Sequence, residues 1–215
     1  MRNFRGKAIG GVALILASVS PLAAAPQADL ISTAWQLDFN FQDVQRITLT
    51  PPGESAPVTY WYLLFQVVNN TGRDVEFYPS FDLVTDTLQV VKGGDNVGPA
   101  VYDAIALRHR SEYPFFAPPS KITGPLLQGE ANSRASAAIF RPFDPLAASF
   151  TVYVAGLSGE VTRVSPPVKR PAPQGMDDAA FVLRRTLAIA YDLPGDIATR
   201  PYATPARRSR QWVMR

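Results

Sequence analysis

The sequence predicts an all-β protein, an antiparallel β-sandwich of about eight or nine strands, and three observations carry that reading. Short extended stretches recur along the chain, with Pro, Gly and Asn turn signals between them. One of these stretches, Tyr60–Val68, is apolar on both alternating sets of positions, which suits the middle of a sheet in a layered fold. The 20 prolines are about twice the usual share, and most fall between strands, where they suit loops and discourage edge pairing. A closed β-barrel is the alternative arrangement of the same strands.

The first strand places Trp35, Leu37, Phe39 and Phe41 in alternation with Gln36, Asp38, Asn40 and Gln42, a half-buried pattern. Ile47–Thr50 continues it or begins another strand, and Pro51-Pro52-Gly53 ends it. In the next stretch one set is Tyr60, Tyr62, Leu64, Gln66 and Val68, and the other is Trp61, Leu63, Phe65 and Val67. It is too short, and too rich in aromatic and β-branched residues, to read as a helix. Asn69-Asn70-Thr71-Gly72 turns the chain, and Asp74–Tyr78 is expected to return as the second strand of a hairpin. Phe81–Val91 reads as one extended stretch and Lys92–Asn96 as a loop. Val101–Arg108 fits a strand and a short helix equally well.

Pro114–Pro119 reads as a loop, Ile122–Leu127 as a strand and Gln128-Gly129-Glu130 as a turn. Ala135–Phe140, Ser149–Ala155 and Val161–Val164 read as strands, the last two joined by Gly156-Leu157-Ser158-Gly159. The Pro-rich run from Ser165 to Gly175 reads as an extended, polyproline-like crossing. Phe181–Leu193 is a long strand with Phe181, Leu183, Leu187, Ile189, Tyr191 and Leu193 on its apolar side. Arg185 interrupts that side and calls for an acidic partner or a place at the sheet margin. The spacing of strands and turns is that of an immunoglobulin-like sandwich, without the Cys–Trp–Cys hallmark of antibody domains.

Residues 1–25 read as a signal peptide, with basic Arg2, Arg5 and Lys7, an apolar run from Ala8 to Val19 and small residues at Ala23-Ala24-Ala25. Pro26 disfavours a cut after Ala25, which leaves a cut after Ala24 as the alternative. The expected location is the periplasm or the exterior, and no cysteine follows the apolar run to carry a lipid anchor. The expected organisation is residues 1–25 as signal, 26–199 as the sandwich and 200–215 as a basic C-terminal tail. No later stretch is long and apolar enough for an integral membrane span. The whole chain has 21 basic and 18 acidic residues; without the first 25 it has 18 of each. The high isoelectric point therefore does not argue for a nucleic-acid partner. A secreted chain without cysteine must be held by its core.

Sequence motifs for catalysis are thin. Gly156-Leu157-Ser158-Gly159-Glu160 has Glu where a nucleophile elbow needs Gly, and it joins strand to strand rather than strand to helix. His109, between Arg108 and Arg110, is the single histidine and reads as a solvated loop residue whose pKa the neighbouring cations lower. The glycines from Gly93 to Gly98 lack the Lys-Ser/Thr of a phosphate loop. Asp82, Asp86 and Asp95 do not have the spacing of a calcium loop. Asn69-Asn70-Thr71 is formally a glycosylation acceptor, and an Asx turn explains it without sugar. No catalytic residue, metal ligand or cofactor is therefore expected. The partner-binding candidates are Phe115 and Phe116, an aromatic pair in a Pro-rich loop, and Arg207, Arg208, Arg210 and Trp212 of the tail.

The signal segment, "LLFQVVNNTGRDVEFYPSFDLVTD", "VYVAGLSGE", "TLAIAYDLPGD" and the terminal "QWVMR" together resemble uncharacterised secreted proteins of environmental Gram-negative bacteria. The strand–NNT–strand part, about residues 58–90, also resembles small extracellular immunoglobulin-like modules of bacterial lipoproteins. The resemblance implies an immunoglobulin-like sandwich and no particular reaction. The expected function is that of a non-catalytic module that binds a protein or a cell-envelope component. Carbohydrate binding through exposed aromatics is the alternative, and a hydrolase built on two carboxylates is the third reading.

Overall fold

The computed structural model describes residues 27–28, 34–165 and 180–215. The expected signal peptide and the Pro-rich residues 166–179 lie outside the described residues. In chain order, β1 (Asp38–Phe41), β2 (Gln45–Leu49) and β3 (Val58–Val68) precede β4 (Val75–Phe77), β5 (Ser80–Thr85) and β6 (Val90–Lys92). Helix α1 (Pro99–Arg108) and the single turn α2 (Pro119–Ile122) lead to β7 (Gly124–Leu126) and β8 (Arg134–Phe140). Strands β9 (Ser149–Ala155), β10 (Val161–Val164), β11 (Phe181–Asp192) and β12 (Ala206–Met214) complete the fold.

These strands form two antiparallel sheets packed as a sandwich, not a closed barrel. The first sheet is built on β3. It pairs with β1 and β2 in succession along one edge and with β8 along the other. The second is built on β11, flanked by β12 on one edge and by β9 and then β10 on the other; β5 and β6 extend it beyond β9. Strands β4 and β7 form a small separate ribbon. The described residues hold more strands than expected because single edge paths are interrupted. β1 and β2 run along one edge of β3 with a break between them, and β9 and β10 do the same beside β11.

Strand β3 accounts for the two-faced apolar pattern. Trp61, Leu63, Phe65 and Val67 face the second sheet, where they meet Leu83, Phe150, Val152, Val154, Leu187, Ile189 and Tyr191. Tyr60, Tyr62 and Leu64 face the other way and lie under α1, against Val101 and Ile105. Helix formation at 99–108 resolves the ambiguity of that segment. Pro99 fits the first helical turn, where its missing N–H is not needed, and Val101 and Ile105, four apart, share one face. Truncating a buried leucine such as Leu63 would cost about 2–5 kcal/mol.

Several expectations are corrected by the topology. Asp74–Tyr78 does not return as a hairpin partner of β3; β4 pairs with β7, and the chain passes on to the second sheet. Phe81–Val91 is not one extended stretch but the hairpin β5–β6, with Leu88 in the turn at φ 67°. Ile122–Leu127 divides between the end of α2 and the short β7. Residues 206–214 are not a tail but β12, paired with β11 from Arg185 to Asp192. The Asx turn holds: the Asn69 side-chain oxygen accepts from the Thr71 N–H at 3.1 Å, while its amide donates to the Arg73 and Leu126 carbonyls. Asn69 is fully buried, which explains that motif without a glycan.

Arg185 finds its acid in Glu160. The two side chains meet at 2.9 Å, Arg185 being 1% exposed, and the guanidinium carbon lies 4.9 Å from the centre of the Trp212 ring. The Arg185 N–H also donates to the Glu160 carbonyl, so backbone and side chain fix the same contact. Breaking a buried pair from one side strands a charge, so Glu160→Gln should lower stability by about 3–5 kcal/mol. The double change Glu160→Leu/Arg185→Met should lose much less than the sum of the single changes, as read by urea unfolding of all four proteins. Additive losses would show that the two residues do not stabilise the fold as a pair.

Candidate functional site

The partner-binding residues read from the sequence do not come together. Phe115 is 90% exposed, but Phe116 stacks on Tyr102 with ring centres 5.3 Å apart and packs against the smaller core beneath α1. The expected exposed pair is therefore one exposed ring and one structural ring. Arg207 lies 3.4 Å from Asp43, and Arg208 donates to Asp192 at 3.0 Å. The Arg207 and Arg210 guanidiniums both lie over the Phe41 ring. Trp212 packs against the main core beneath Arg185. The basic run is thus spent largely on the sandwich itself, closing its side between β12 and β1. Trp61 is buried as expected, and Trp35 packs partly against the same core.

His109 corrects the expectation of a solvated loop residue. It caps the C-terminus of α1, is largely buried, and its Nε2 lies 2.9 Å from the Tyr62 hydroxyl. Its Nδ1 is 3.9 Å from Glu112. Gln42 and Gln45 complete a polar ring: Tyr62 donates to Gln45, Gln45 to Gln42, and Gln42 to Glu112. This ring ties α1 to the centre of the first sheet. Neither Tyr62 nor His109 lines any of the five cavities found among the described residues. Gly156-Leu157-Ser158-Gly159 is a strand-to-strand turn, with Gly156 at φ +85° and the Trp35 indole packed directly on Gly159. Among the described residues no three His, Asp or Glu side chains cluster as metal ligands would.

The structure instead offers a groove that the strand pattern did not reveal. A cavity of about 550 Å³ lies along the outer edge of β8, between α1 and its preceding loop on one side and Pro118–Ile122 on the other. Both volume and lining are those of a ligand site. A neighbouring depression shares Phe81, Gly93, Pro119 and Ile122 with it and carries the groove on to Asp82 and Lys92.

The floor of the groove is formed by the outer edge of β8 around Ala137. The Ala135 carbonyl accepts from the Ala117 N–H at 2.9 Å, and the Ile139 carbonyl accepts from the Gly94 N–H at 2.7 Å. Backbone groups alternate in direction along a strand, so the N–H and C=O of Ala137 face the same edge. Among the described residues neither has a hydrogen-bond partner, although Ala137 is 1% exposed. Buried backbone groups are almost always paired, so this edge is unusual. Tyr102 adds a second such group on the wall: its hydroxyl is buried without a partner among the described residues. Burial, reinforced by Asp103, pushes that phenol up to about 12, so it is a neutral donor at any ordinary pH. Asp103 itself is exposed on the rim.

Two outcomes test this description. Burial holds the His109 imidazole below its ordinary 6.5; Glu112 opposes the shift and Arg108 adds to it. The unfolded chain thus takes up the proton first, and this contribution to stability is full above 6.5 and lost as pH falls through the depressed folded value. His109→Gln should therefore lose less melting temperature than the parent between about pH 7 and pH 5. Tyr102→Phe removes a buried hydroxyl that has no partner, so it should leave stability unchanged or raise it by up to about 1 kcal/mol in chemical unfolding. A loss of similar size would mean that the hydroxyl is satisfied.

Comparison with protein-family models, with curated proteins and with solved structures finds no match for the chain.

Proposed function

We propose that this protein is a non-catalytic, exported immunoglobulin-like sandwich that binds another protein or a component of the cell envelope, and that the groove along β8 is its binding site. One observation carries the reading: an apolar groove of about 550 Å³ whose wall includes Tyr102, with a hydroxyl that has no partner among the described residues. Two packed sheets with interlocked edges hold that groove in place, and a rigid scaffold bearing a preformed concave site is what recognition requires. The signal-like N-terminal sequence supports a location in the periplasm or outside the cell. Among the described residues no helix is long and apolar enough to cross a membrane.

Carbohydrate recognition by an aromatic platform has less support, because Trp61 is buried and Trp35 and Trp212 pack against the core. The hydrolase reading needs two carboxylates across a cleft. Among the described residues Asp103 lines the main groove, and the carboxylate of its continuation, Asp82, is paired with Arg215 at 3.1 Å.

Gly98 supplies the test. It lines the groove, its backbone is extended, and a Cβ built there meets nothing within 4 Å. Gly98→Phe should therefore be tolerated by the fold, and its ring should narrow the space that Gly98 lines, the groove and the depression beside Pro51 and Arg141. The parent protein, immobilised and exposed to a native envelope fraction, should capture a component that Gly98→Phe does not, with equal melting temperatures for the two proteins. Equal capture by both would move the binding site elsewhere, and capture by neither would remove the module reading.

A further inference from the structure

The floor of the groove decides what kind of molecule can fill it. The Ala137 N–H and C=O are covered, Ala137 being 1% exposed, and the Gly94 and Ala117 contacts close the strand edge on either side of them. The floor therefore shows an occupant apolar atoms and no backbone group to pair with. A peptide laid there would lose water from its own amides and gain no hydrogen bond from the floor in return. A hydrocarbon chain has no such groups to strip, and the walls suit it: Phe81, Val97, Pro99, Pro118, Ile122 and Ile139 are all apolar. The mouth opens to solvent, since Gly94, Gly98, Pro119 and Ser120 are exposed. A volume of about 550 Å³ suits one ligand of small-molecule size.

Charge at the mouth sets the other end of the molecule. Of the described residues that line the main groove, Asp103 alone is charged. It is exposed and has no ion-pair partner among the described residues. Beyond Phe81 the continuation of the groove has the opposite character, because Arg215 holds Asp82 and Lys92 adds a cation. A positive group is thus drawn to the Asp103 end and turned away from the Lys92 end.

From this complementarity of shape and charge we infer that the groove binds a small amphiphile, a single hydrocarbon chain that ends in an ammonium group. This rests on the groove being the binding site of the module. The chain lies between α1 and α2, and the ammonium sits in water beside Asp103.

The probes are decylammonium, decanol and decyl sulfate, each titrated into the full chain below its micelle concentration, by calorimetry and by methyl NMR. One equivalent of decylammonium should bind and shift the methyl resonances of Val97, Ile122 and Ile139, leaving those of the distant, exposed Leu88 in place. It should bind about fivefold or more tighter than decyl sulfate. Asp103→Asn should weaken decylammonium about twofold to fivefold and leave decanol unchanged. Ser120→Trp, at an exposed position on the lip, should weaken both. The methyl shifts locate the site in the parent protein, whether or not that last variant folds.

Absence of saturable decylammonium binding would overturn the inference, as would methyl shifts confined to residues outside the groove. So would equal or tighter binding of decyl sulfate, since Lys92 rather than Asp103 would then read the head group. Equal weakening of decanol and decylammonium by Asp103→Asn would do the same, because the residue would act through shape and not through charge. Envelope capture that persists beside a failed decylammonium titration overturns this inference and leaves the module reading standing. Decylammonium binding beside failed envelope capture supports the inference and removes the envelope partner.

Discussion

Strand β3 carries aromatic and aliphatic side chains on both faces, so it needs two covers where an ordinary sandwich strand needs one. The second sheet covers Trp61, Leu63, Phe65 and Val67. No third sheet exists for Tyr60, Tyr62 and Leu64 among the described residues, and α1 covers them instead. The position of α1 in turn sets where its flanking loops run. The loop before it, through Gly93 and Gly94, and the segment after it, through Ala117, both come down on the outer edge of β8. The groove lies between those two landing points. Its place in the fold thus follows from the need to shield one strand twice.

Edges are the second constraint. A sheet edge left bare invites pairing with another chain, and the fold treats its edges differently. β12, the long edge of the second sheet, turns Arg207 and Arg210 toward Phe41 across the sandwich, and inward cations of this kind discourage a further strand. The opposite edge ends in β6, three residues long. In the first sheet, β1 and β2 are interrupted between Phe41 and Gln45. On β8 two backbone contacts close the ends and leave Ala137 between them. The β8 edge is thus closed by two backbone contacts and by burial, with the cavity beside it.

Polar groups inside the core act as fasteners. Arg185 and Glu160 join β11 to the turn that precedes β10, and Trp212 of β12 lies over the guanidinium. Asn69 ties the end of β3 to β7 through the Leu126 carbonyl. Tyr62 and His109 tie the centre of the first sheet to the end of α1. Each joins segments far apart in sequence, and each is directional in a way that apolar contact is not. Hydrophobic burial holds the layers together, and these contacts select which layers meet.

Strand character was legible in the residues because alternation is a local property, set by the two-residue repeat of the extended chain. Trp35–Gln42, Tyr60–Val68, Ala135–Phe140, Ser149–Ala155 and Phe181–Leu193 all contain the strands their patterns suggest. The Asx turn at Asn69 and the strand-to-strand turn at Gly156 were legible for the same reason, since neighbouring residues make them. Pairing was not, because it depends on what lies across the sheet. β4 has the pattern of a hairpin partner and pairs with β7 instead, and the basic C-terminal run looks like a tail until β11 stands beside it. His109 looked solvated because its partner, Tyr62, is 47 residues away. The groove leaves the least trace of all, since Ala137 in a run of small residues gives no chemical sign. The sequence by itself determined that this chain is made of strands and must bury both faces of β3; only the tertiary structure decided which backbone edge would be left facing an apolar cavity, because that depends on where distant loops end.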